Sequence, residues 1–260
     1  MIRVISLSFL FLFISCSSKV VHKKTSGYEQ FLGATLWIQH AAEVRALTYQ
    51  AYNIARLRID AILSRNKKDN LALVVDADET IIDNSPFQGK MLLEGKSYSP
   101  EDWDDWIKHA DAKAIPGSVE FLNYAHSKGV TVFVITNRSV KHFNETYKNL
   151  KRLGFPITKK QLIMKTNTSN KAKRRRSVLK NYEIVLLMGD NLNDFTEAFE
   201  DKSSRQRHEI AKRFKSEFGR KFIVLPNPMY GDWENALYDY RKDYSEDEKA
   251  KLRKELIESY

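Results

Sequence analysis

The fold of this chain is decided at residues 71–80, which read Leu71-Ala72-Leu73-Val74-Val75-Asp76-Ala77-Asp78-Glu79-Thr80. The first five are all apolar, as in a strand buried on both faces, and two acids follow at alternate positions. Three further apolar runs have the same texture, and helix-like stretches separate them. Because strands that alternate with helices build parallel sheets, the sequence predicts an α/β fold with a doubly wound parallel sheet. The further runs are residues 130–135, 183–188 and 221–225, and the helix-like stretches include residues 118–127, 140–153 and 171–181.

Each of the first three apolar runs ends in a cluster of polar residues. Asp76 and Asp78 follow the first run, Thr136-Asn137-Arg138 the second, and Gly189-Asp190-Asn191 the third. Ligands of open α/β sheets bind at the carboxyl ends of the strands. We therefore expect the three clusters to meet at one site.

Paired carboxylates at a strand end suit phosphoryl transfer. Asp76 is the candidate nucleophile, which would attack phosphorus and form an aspartyl-phosphate. Asp78 can protonate the leaving oxygen and later take a proton from the attacking water. Thr136 can donate a hydrogen bond to a phosphoryl oxygen, and Lys171 can neutralise the charge that develops there.

A cation is needed beside these acids, because two carboxylates would otherwise repel a phosphoryl group. Mg²⁺ binds few carboxylates, keeps several waters and favours phosphoryl ligands. Asp190 offers it a further carboxylate, and Asp194, one helical turn later, could hold a metal-bound water. The sequence thus predicts one Mg²⁺ per chain.

The N-terminus has the layout of a secretory signal. Met1-Ile2-Arg3 is a short positive start, an almost wholly apolar run over residues 4–14 follows, and small residues surround Cys16. We predict a signal peptide over residues 1–15, acylation of Cys16 and a flexible tether over residues 16–27. The chain would then be exported and anchored by lipid in the cell envelope, at the outer membrane or facing the periplasm. The alternative is an ordinary cleaved signal with an incidental cysteine.

The remaining chain divides by composition. The predicted units are N-terminal helices of a smaller domain over residues 28–68, a catalytic core over residues 69–240 with an insertion at about 84–115, and a charged helix over residues 241–260. The net charge of +10 suits phosphorylated small molecules as well as anionic polymers. The basic run at residues 173–176 is interpreted as a solvated helix face, because no aromatic residues interleave with it. No nucleic-acid polymer is therefore expected as a partner, and a homodimer is left open.

These motifs resemble the haloacid dehalogenase superfamily and, more narrowly, the class C acid phosphatases, which are bacterial secreted and lipoprotein enzymes with four signature aspartates. The resemblance implies a Rossmann-like core with a smaller helical domain. It also implies Mg²⁺ held by the Asp76 carboxylate, the Asp78 backbone carbonyl and Asp190. Phe87 stands where tyrosine is frequent in that family, and Ala77 where leucine or isoleucine is. The matching stretches are residues 76–80, Asp83-Asn84-Ser85-Pro86, Ile115-Pro116-Gly117, Thr136-Asn137-Arg138, residues 189–195, Leu225-Pro226-Asn227 and Tyr230-Gly231, with Glu43, residues 45–47 and residues 49–52 in the N-terminal helices.

The same resemblance implies a nucleoside monophosphate substrate, as in a 5′-nucleotidase, with the base held between Trp103 and Tyr230. The alternative for Trp103 is packing in a helical core. Asn137 and Arg138 are assigned to substrate binding, although Arg138 could instead pair with a nearby acid.

Three other functions compete with hydrolysis of phosphomonoesters. Halide leaves without a proton, so a dehalogenase has no need of an acid at Asp78. A phosphomutase would use the same paired acids and is disfavoured only by the export signal. A surface lipoprotein that binds a ligand such as haem on an inactive phosphatase fold is disfavoured by the intact set of acids.

Overall fold

The structure is a computed structural model that describes residues 31–65 and 69–260. The predicted signal peptide, Cys16 and the tether lie outside the described residues. Within them, the helices are α1 (Leu32–His40), α2 (Ala42–Arg65), α3 (Ser85–Glu94), α4 (Pro100–His109), α5 (Ser118–Ser127), α6 (Phe143–Arg152), α7 (Ala172–Leu179), α8 (Ser204–Arg213), α9 (Asp232–Leu237) and α10 (Glu246–Glu255). The strands are β1 (Leu71–Val75), β2 (Ile82–Asp83), β3 (Lys113–Ala114), β4 (Thr131–Ser139), β5 (Leu162–Lys165), β6 (Glu183–Gly189) and β7 (Phe222–Val224).

The main sheet is parallel and has the order β5-β4-β1-β6-β7. Strand β1 lies at its centre, and all five of its residues are buried. Leu73 and Val75 face a cluster that includes residues of α2, α5 and α6, whereas Ala72 and Val74 face a second cluster that includes a residue of α7. Helices therefore cover both faces, and the prediction of a doubly wound parallel sheet is confirmed.

One strand of this sheet was not predicted. Strand β5 has four residues whose burial alternates, at the edge of the sheet. A half-covered edge strand does not need a continuous apolar run, so the criterion that identified the other four strands could not find it.

The N-terminal helices divide between two parts of the molecule. Helices α1 and α2 are separated by Ala41, whose backbone is extended, and α1 packs against α3. Helix α2 instead packs on the sheet, where Tyr52, Ala55 and Ile59 belong to the main core cluster. The predicted assignment of residues 28–68 to a smaller domain therefore differs from the packing, because the apolar face of α2 belongs to the catalytic core.

The insertion begins and ends at a small antiparallel pair, β2 with β3, and contains α3 and α4. Helix α4 starts at a capping residue, Ser99, whose hydroxyl accepts the backbone N–H of Asp102. It is tied to the core by Asp104, which bonds His142 at 2.6 Å and Lys141 at 2.5 Å. The insertion is thus anchored over the carboxyl edge of the sheet.

In the C-terminal part, for which a charged helix over residues 241–260 is predicted, the structure has one helix, α10. Arg253 on this helix pairs with Glu234 at 3.2 Å and joins it to α9. No helix within residues 31–65 and 69–260 combines the length and the apolar composition needed to cross a bilayer.

Candidate active site

The ends of β1, β4 and β6 meet at one cavity of about 850 Å³. Asp76, Asp78, Arg138 and Asp190 all line it, although they are up to 114 positions apart in the sequence. Lys171, just before α7, lines it as well. The predicted convergence of the three polar clusters is therefore present in the fold.

Asp76 is paired with the buried ammonium of Lys171, which bonds its Oδ1 atom. The same ammonium reaches Asp194 Oδ1 at 2.7 Å. Burial raises the pKa of Asp76 well above its usual range, and the charge of Lys171 opposes this rise. Burial by itself lowers the pKa of Lys171, but Asp194 and Asp76 outweigh it, so that the pKa is raised overall. Lys171 is therefore held as a cation beside the candidate nucleophile.

Three carboxylates crowd around this single ammonium. One oxygen from each of Asp76, Asp190 and Asp194 lies within 4.8 Å of the other two. Burial and the charge of Asp194 raise the pKa of Asp190 to about 7, although a 2.9 Å hydrogen bond from Asn227 opposes the rise. Such an excess of buried negative charge, offered by hard oxygen donors, fits a divalent cation.

A glycine makes this crowding possible. A Cβ atom at position 189 would lie only 2.3 Å from Asp194 Oδ2, so any residue other than glycine would clash with the Asp194 side chain. Asp194 Oδ2 also accepts the backbone N–H of Asn191 at 3.1 Å. Asp194 was predicted to act through a metal-bound water, but its carboxylate lies in the same cluster as Asp76 and Asp190 and already pairs with Lys171.

Asp78 lies beside the cluster and is gripped by a buried arginine. Arg138 Nε and its terminal NH2 nitrogen each lie 2.8 Å from Asp78 Oδ1, and the arginine side chain is 1% exposed. Of the two roles considered for Arg138, the structure favours pairing with an acid over contact with substrate. Thr136 is also fully buried, and its hydroxyl lies 3.5 Å from Asp78 Oδ2.

Asn137 is exposed at the cavity edge, where its Oδ1 atom accepts a 2.6 Å hydrogen bond from Arg174. Arg174 also donates to the carbonyl of Thr136 at 2.5 Å and to the carbonyls of residues 168–170. Arg175 is buried and donates to the Asp194 carbonyl at 2.9 Å. The prediction of a solvated basic face over residues 173–176 is therefore wrong for these two arginines, because they tie α7 to the site.

Aromatic side chains also line the cavity. Trp103 and Tyr230 both line it and are half-buried. The ring of Trp103 packs edge-on against Phe87 with 5.0 Å between centroids, and the guanidinium of Arg138 lies 5.5 Å from it. Tyr98 lies on the same wall. Trp103 is thus held from one side and still borders the cavity.

A family model described as HAD superfamily, subfamily IIIB (Acid phosphatase) matches residues 16–233. This chain belongs to that family. The class C acid phosphatase from Bacillus anthracis is 46% identical, with 90% of this chain and 99% of that chain covered and a TM-score of 0.87. A second structure of that enzyme, with tungstate bound, is 45% identical and has a TM-score of 0.85 over 90% of this chain and 98% of that one.

Two plant proteins are similar at lower identity. Acid phosphatase 1 of Solanum lycopersicum is 26% identical over 164 residues, which are 60% of this chain and 57% of that protein. A stem 31 kDa glycoprotein of Glycine max is 27% identical over 174 residues, covering 64% and 61%. The chain thus spans about three fifths of the length of these two relatives. The predicted haloacid dehalogenase-like fold and the resemblance to class C acid phosphatases are confirmed.

Two residues of this HAD subfamily IIIB site were not predicted to act there. Tyr52 of α2 donates to the backbone carbonyl of Thr80 at 2.5 Å and so supports the loop that follows Asp76. Asn84 lies in the matching stretch at residues 83–86, and its side chain contacts Asp78 at 2.9 Å. Both belong to stretches that carried the family resemblance, which was the one signal in the sequence that could have indicated them.

Proposed function

We propose that this chain is a Mg²⁺-dependent phosphomonoesterase that hydrolyses nucleoside monophosphates through an aspartyl-phosphate. The observation that carries the proposal is the meeting of Asp76, Asp78 and Asp190 with Lys171 at the carboxyl edge of the sheet. The tungstate bound to the related Bacillus anthracis enzyme supports it, because tungstate is a tetrahedral oxyanion like phosphate.

In the first step, Asp76 attacks phosphorus. A bond forms between its carboxylate oxygen and phosphorus while the ester P–O bond breaks, and Asp78 gives a proton to the leaving oxygen. Lys171, which lines the cavity, would donate to the phosphoryl oxygens, where negative charge is spread in the transition state, and the buried hydroxyl of Thr136 is proposed as a second donor.

In the second step, water attacks the phosphorus of the aspartyl-phosphate. Asp78, now unprotonated, takes a proton from that water, and the Asp76 carboxylate leaves as phosphate is released. The two acids therefore return to their starting protonation states, and the products are an alcohol and inorganic phosphate.

Asp76 and Asp190 would hold the Mg²⁺, with the backbone carbonyl of Asp78 as a third ligand and Asp194 beside them. Bound there, the ion would neutralise the crowded carboxylates and the charge of the phosphoryl group. Lys171 is a single positive charge among three closely spaced acids, so the chain by itself leaves this corner of the cavity strongly negative.

The nucleotide preference rests on the aromatic wall of the cavity. Trp103 and Tyr230 come from separate parts of the chain, α4 and the loop after β7, and border the same space. Flat apolar faces of this kind stack on any base and read little of its identity. The enzyme should therefore accept several bases and select more strictly for the phosphate.

Trp103→Ala and Tyr230→Ala are each expected to lower kcat/KM for a nucleoside monophosphate by roughly 5- to 150-fold, since a stacked base gains about 1–3 kcal/mol per aromatic. A small aryl phosphate, which has no base to stack, should lose much less. Phosphate release from both substrates checks this. Tyr124→Ala is the matched control, because Tyr124 contacts Arg56 and Asp60 away from the cavity.

Equal losses on both substrates would show that these aromatics are structural. A wild-type enzyme with no preference for nucleotides over aryl phosphates would end the nucleotide proposal while leaving the phosphomonoesterase intact. A panel of phosphomonoesters with phosphate release measured with and without Mg²⁺ therefore tests the function as a whole, including the alternatives of a phosphomutase and an inactive binding lipoprotein.

Acylation of Cys16 is proposed as the membrane anchor. A diacylated N-terminus gives stable attachment where a single chain would not. In cell fractionation, the wild-type protein is expected with the membranes and Cys16→Ala in the soluble fraction, whereas Ser17→Ala should behave as wild type. A wild-type protein that is already wholly soluble would refute the anchor.

A further inference from the structure

We infer that Asn84 is a positioning residue for Asp78, which fixes the oxygen of that carboxyl group from which the leaving group receives its proton. The inference rests on the proposed function, in which Asp78 is the general acid. Asn84 is fully buried and precedes α3, at the boundary between the core and the insertion. Its side chain bonds Asp78, Arg138 and their neighbours, so its effect on catalysis passes through Asp78 and through the Arg138 that pairs with it.

All four hydrogen-bonding positions of the Asn84 amide are used. Its Nδ2 atom donates to Asp78 Oδ1 at 2.9 Å and to Glu79 Oε2 at 3.3 Å. Its Oδ1 atom accepts from Trp106 Nε1 at 2.8 Å and from the terminal NH2 nitrogen of Arg138 at 3.0 Å. A side-chain amide has two donor hydrogens and two acceptor lone pairs, so this one is saturated.

The chemistry of the neighbours also fixes the orientation of the amide. Trp106 and Arg138 can only donate, so the amide oxygen must face them. The amide nitrogen then faces the carboxylates of Asp78 and Glu79, which accept. A rotation by 180° would set oxygen against two carboxylates and nitrogen against two donors, so the observed arrangement is strongly preferred.

The two oxygens of Asp78 are consequently unequal. Oδ1 accepts hydrogen bonds from Asn84 Nδ2 and Arg138 Nε and forms an ion pair with the Arg138 terminal nitrogen at 2.8 Å, whereas Oδ2 accepts only from the Thr136 hydroxyl at 3.5 Å among the hydrogen bonds of the described residues. An oxygen that already accepts two hydrogen bonds and pairs with a guanidinium is a poor place for a proton. Oδ2 is therefore the oxygen that carries the proton to the leaving group, and Asn84 with Arg138 holds the carboxyl group in that rotation.

Asn84 also connects the acid to the insertion. Trp106 lies on α4, one helical turn after Trp103, and its indole N–H bonds the amide that bonds Asp78. Helix α4 and the general acid are thus linked through one side chain. Trp106→Phe removes this donor and keeps most of the ring, so it should disturb Asn84 more gently than direct substitution.

The leaving group distinguishes positioning from a merely structural role. Phenolate needs a proton as it leaves, whereas the far more acidic p-nitrophenol leaves readily as its anion. A misplaced general acid should therefore slow phenyl phosphate more than p-nitrophenyl phosphate. The two substrates are close in size and have no base, so contacts with Trp103 and Tyr230 affect both alike.

The experiment measures kcat/KM for both aryl phosphates with Mg²⁺ on the full chain. Asn84→Ala is expected to lower kcat/KM for phenyl phosphate about tenfold more than for p-nitrophenyl phosphate, a part of the 10²- to 10⁴-fold that a general acid supplies. Trp106→Phe should shift the ratio in the same direction by less. Because both constants come from one preparation, their ratio is independent of the fraction that is folded.

Two reference variants accompany these. Asp78→Asn should show the largest difference, with kcat/KM falling far more for phenyl phosphate than for p-nitrophenyl phosphate. Asn149→Ala removes another buried asparagine, which donates to the carbonyl of Ala112 at 2.9 Å, and should leave the ratio unchanged even if the protein is destabilised.

If Asp78→Asn loses more kcat/KM on phenyl phosphate than on p-nitrophenyl phosphate and Asn84→Ala loses the same on both, the inference is overturned and the proposed function stands. If Asp78→Asn loses the same kcat/KM on both substrates, Asp78 is not the general acid. If Asn84→Ala does not fold, Trp106→Phe decides, and an unchanged ratio in that variant overturns the inference.

Discussion

Asp76→Asn is expected to reduce phosphate release by about 10³-fold or more, because an amide cannot attack phosphorus and no covalent intermediate can form. The fold should survive. Asparagine has the same shape as aspartate, and removing one of three crowded carboxylates lowers their mutual repulsion while Lys171 keeps its partner Asp194. Phosphate release and the thermal unfolding temperature of the purified variant check the two halves of this expectation.

Asp105→Asn is the matched control for that experiment. Asp105 makes an exposed ion pair with Lys108 on α4, so the same chemical change there should leave turnover near normal. Near-normal phosphate release from Asp76→Asn would refute the covalent mechanism. Loss of activity supports the mechanism only if the variant is folded, which the thermal unfolding measurement shows.

Removal of divalent metal is expected to silence the enzyme, and added Mg²⁺ to restore it. Without the ion, the buried oxygens of Asp76, Asp190 and Asp194 oppose the approach of a doubly negative phosphate, and Lys171 offsets only part of that charge. Phosphate release in the presence of a chelator, followed by addition of Mg²⁺, measures this directly.

Binding of the ion should also be visible without any substrate. A ligand that binds only the folded state at 100 times its Kd stabilises it by about 2.7 kcal/mol, so Mg²⁺ should raise the unfolding temperature of the wild-type chain. Asp190→Asn should lose most of this rise, whereas Asp105→Asn should keep it. Full activity in a chelator, or a rise that persists in Asp190→Asn, would contradict the proposed metal site.

The candidate reacting groups could be located from the sequence because they directly follow buried strands. Strand β1 must be apolar on both faces, so the run at residues 71–75 identifies it, and the acids directly after it can only lie at the carboxyl edge of the sheet. The same reasoning located Thr136 and Asp190. It failed for β5, because an edge strand that is covered on one face need not show a continuous apolar run.

The side chains that hold those groups in place could not be predicted in the same way. Arg138 had two plausible partners in sequence, and packing beside Asp78 and Asn84 decided between them. Arg174 and Arg175 belong to a run that looks solvated, yet their turn of α7 faces the loops of the site. Each side chain has a partner 19 to 60 positions away, namely Asp78 for Arg138, Thr136 for Arg174 and Asp194 for Arg175, so its role depends on how the elements dock.

The sequence by itself determined which polar clusters follow the buried strands, which acids belong to them and which family the chain resembles. It could do so because burial and chemistry leave local patterns along the chain. Only the tertiary structure decided how those acids are held: which oxygen of Asp78 is occupied, that Asp194 joins Asp76 and Asp190 around Lys171, and that Asn84 joins the acid to α4. The physical reason is that a hydrogen bond is set by distance and direction in space to within tenths of an ångström, and no local pattern of residue types encodes contacts between segments that meet only when the chain has folded.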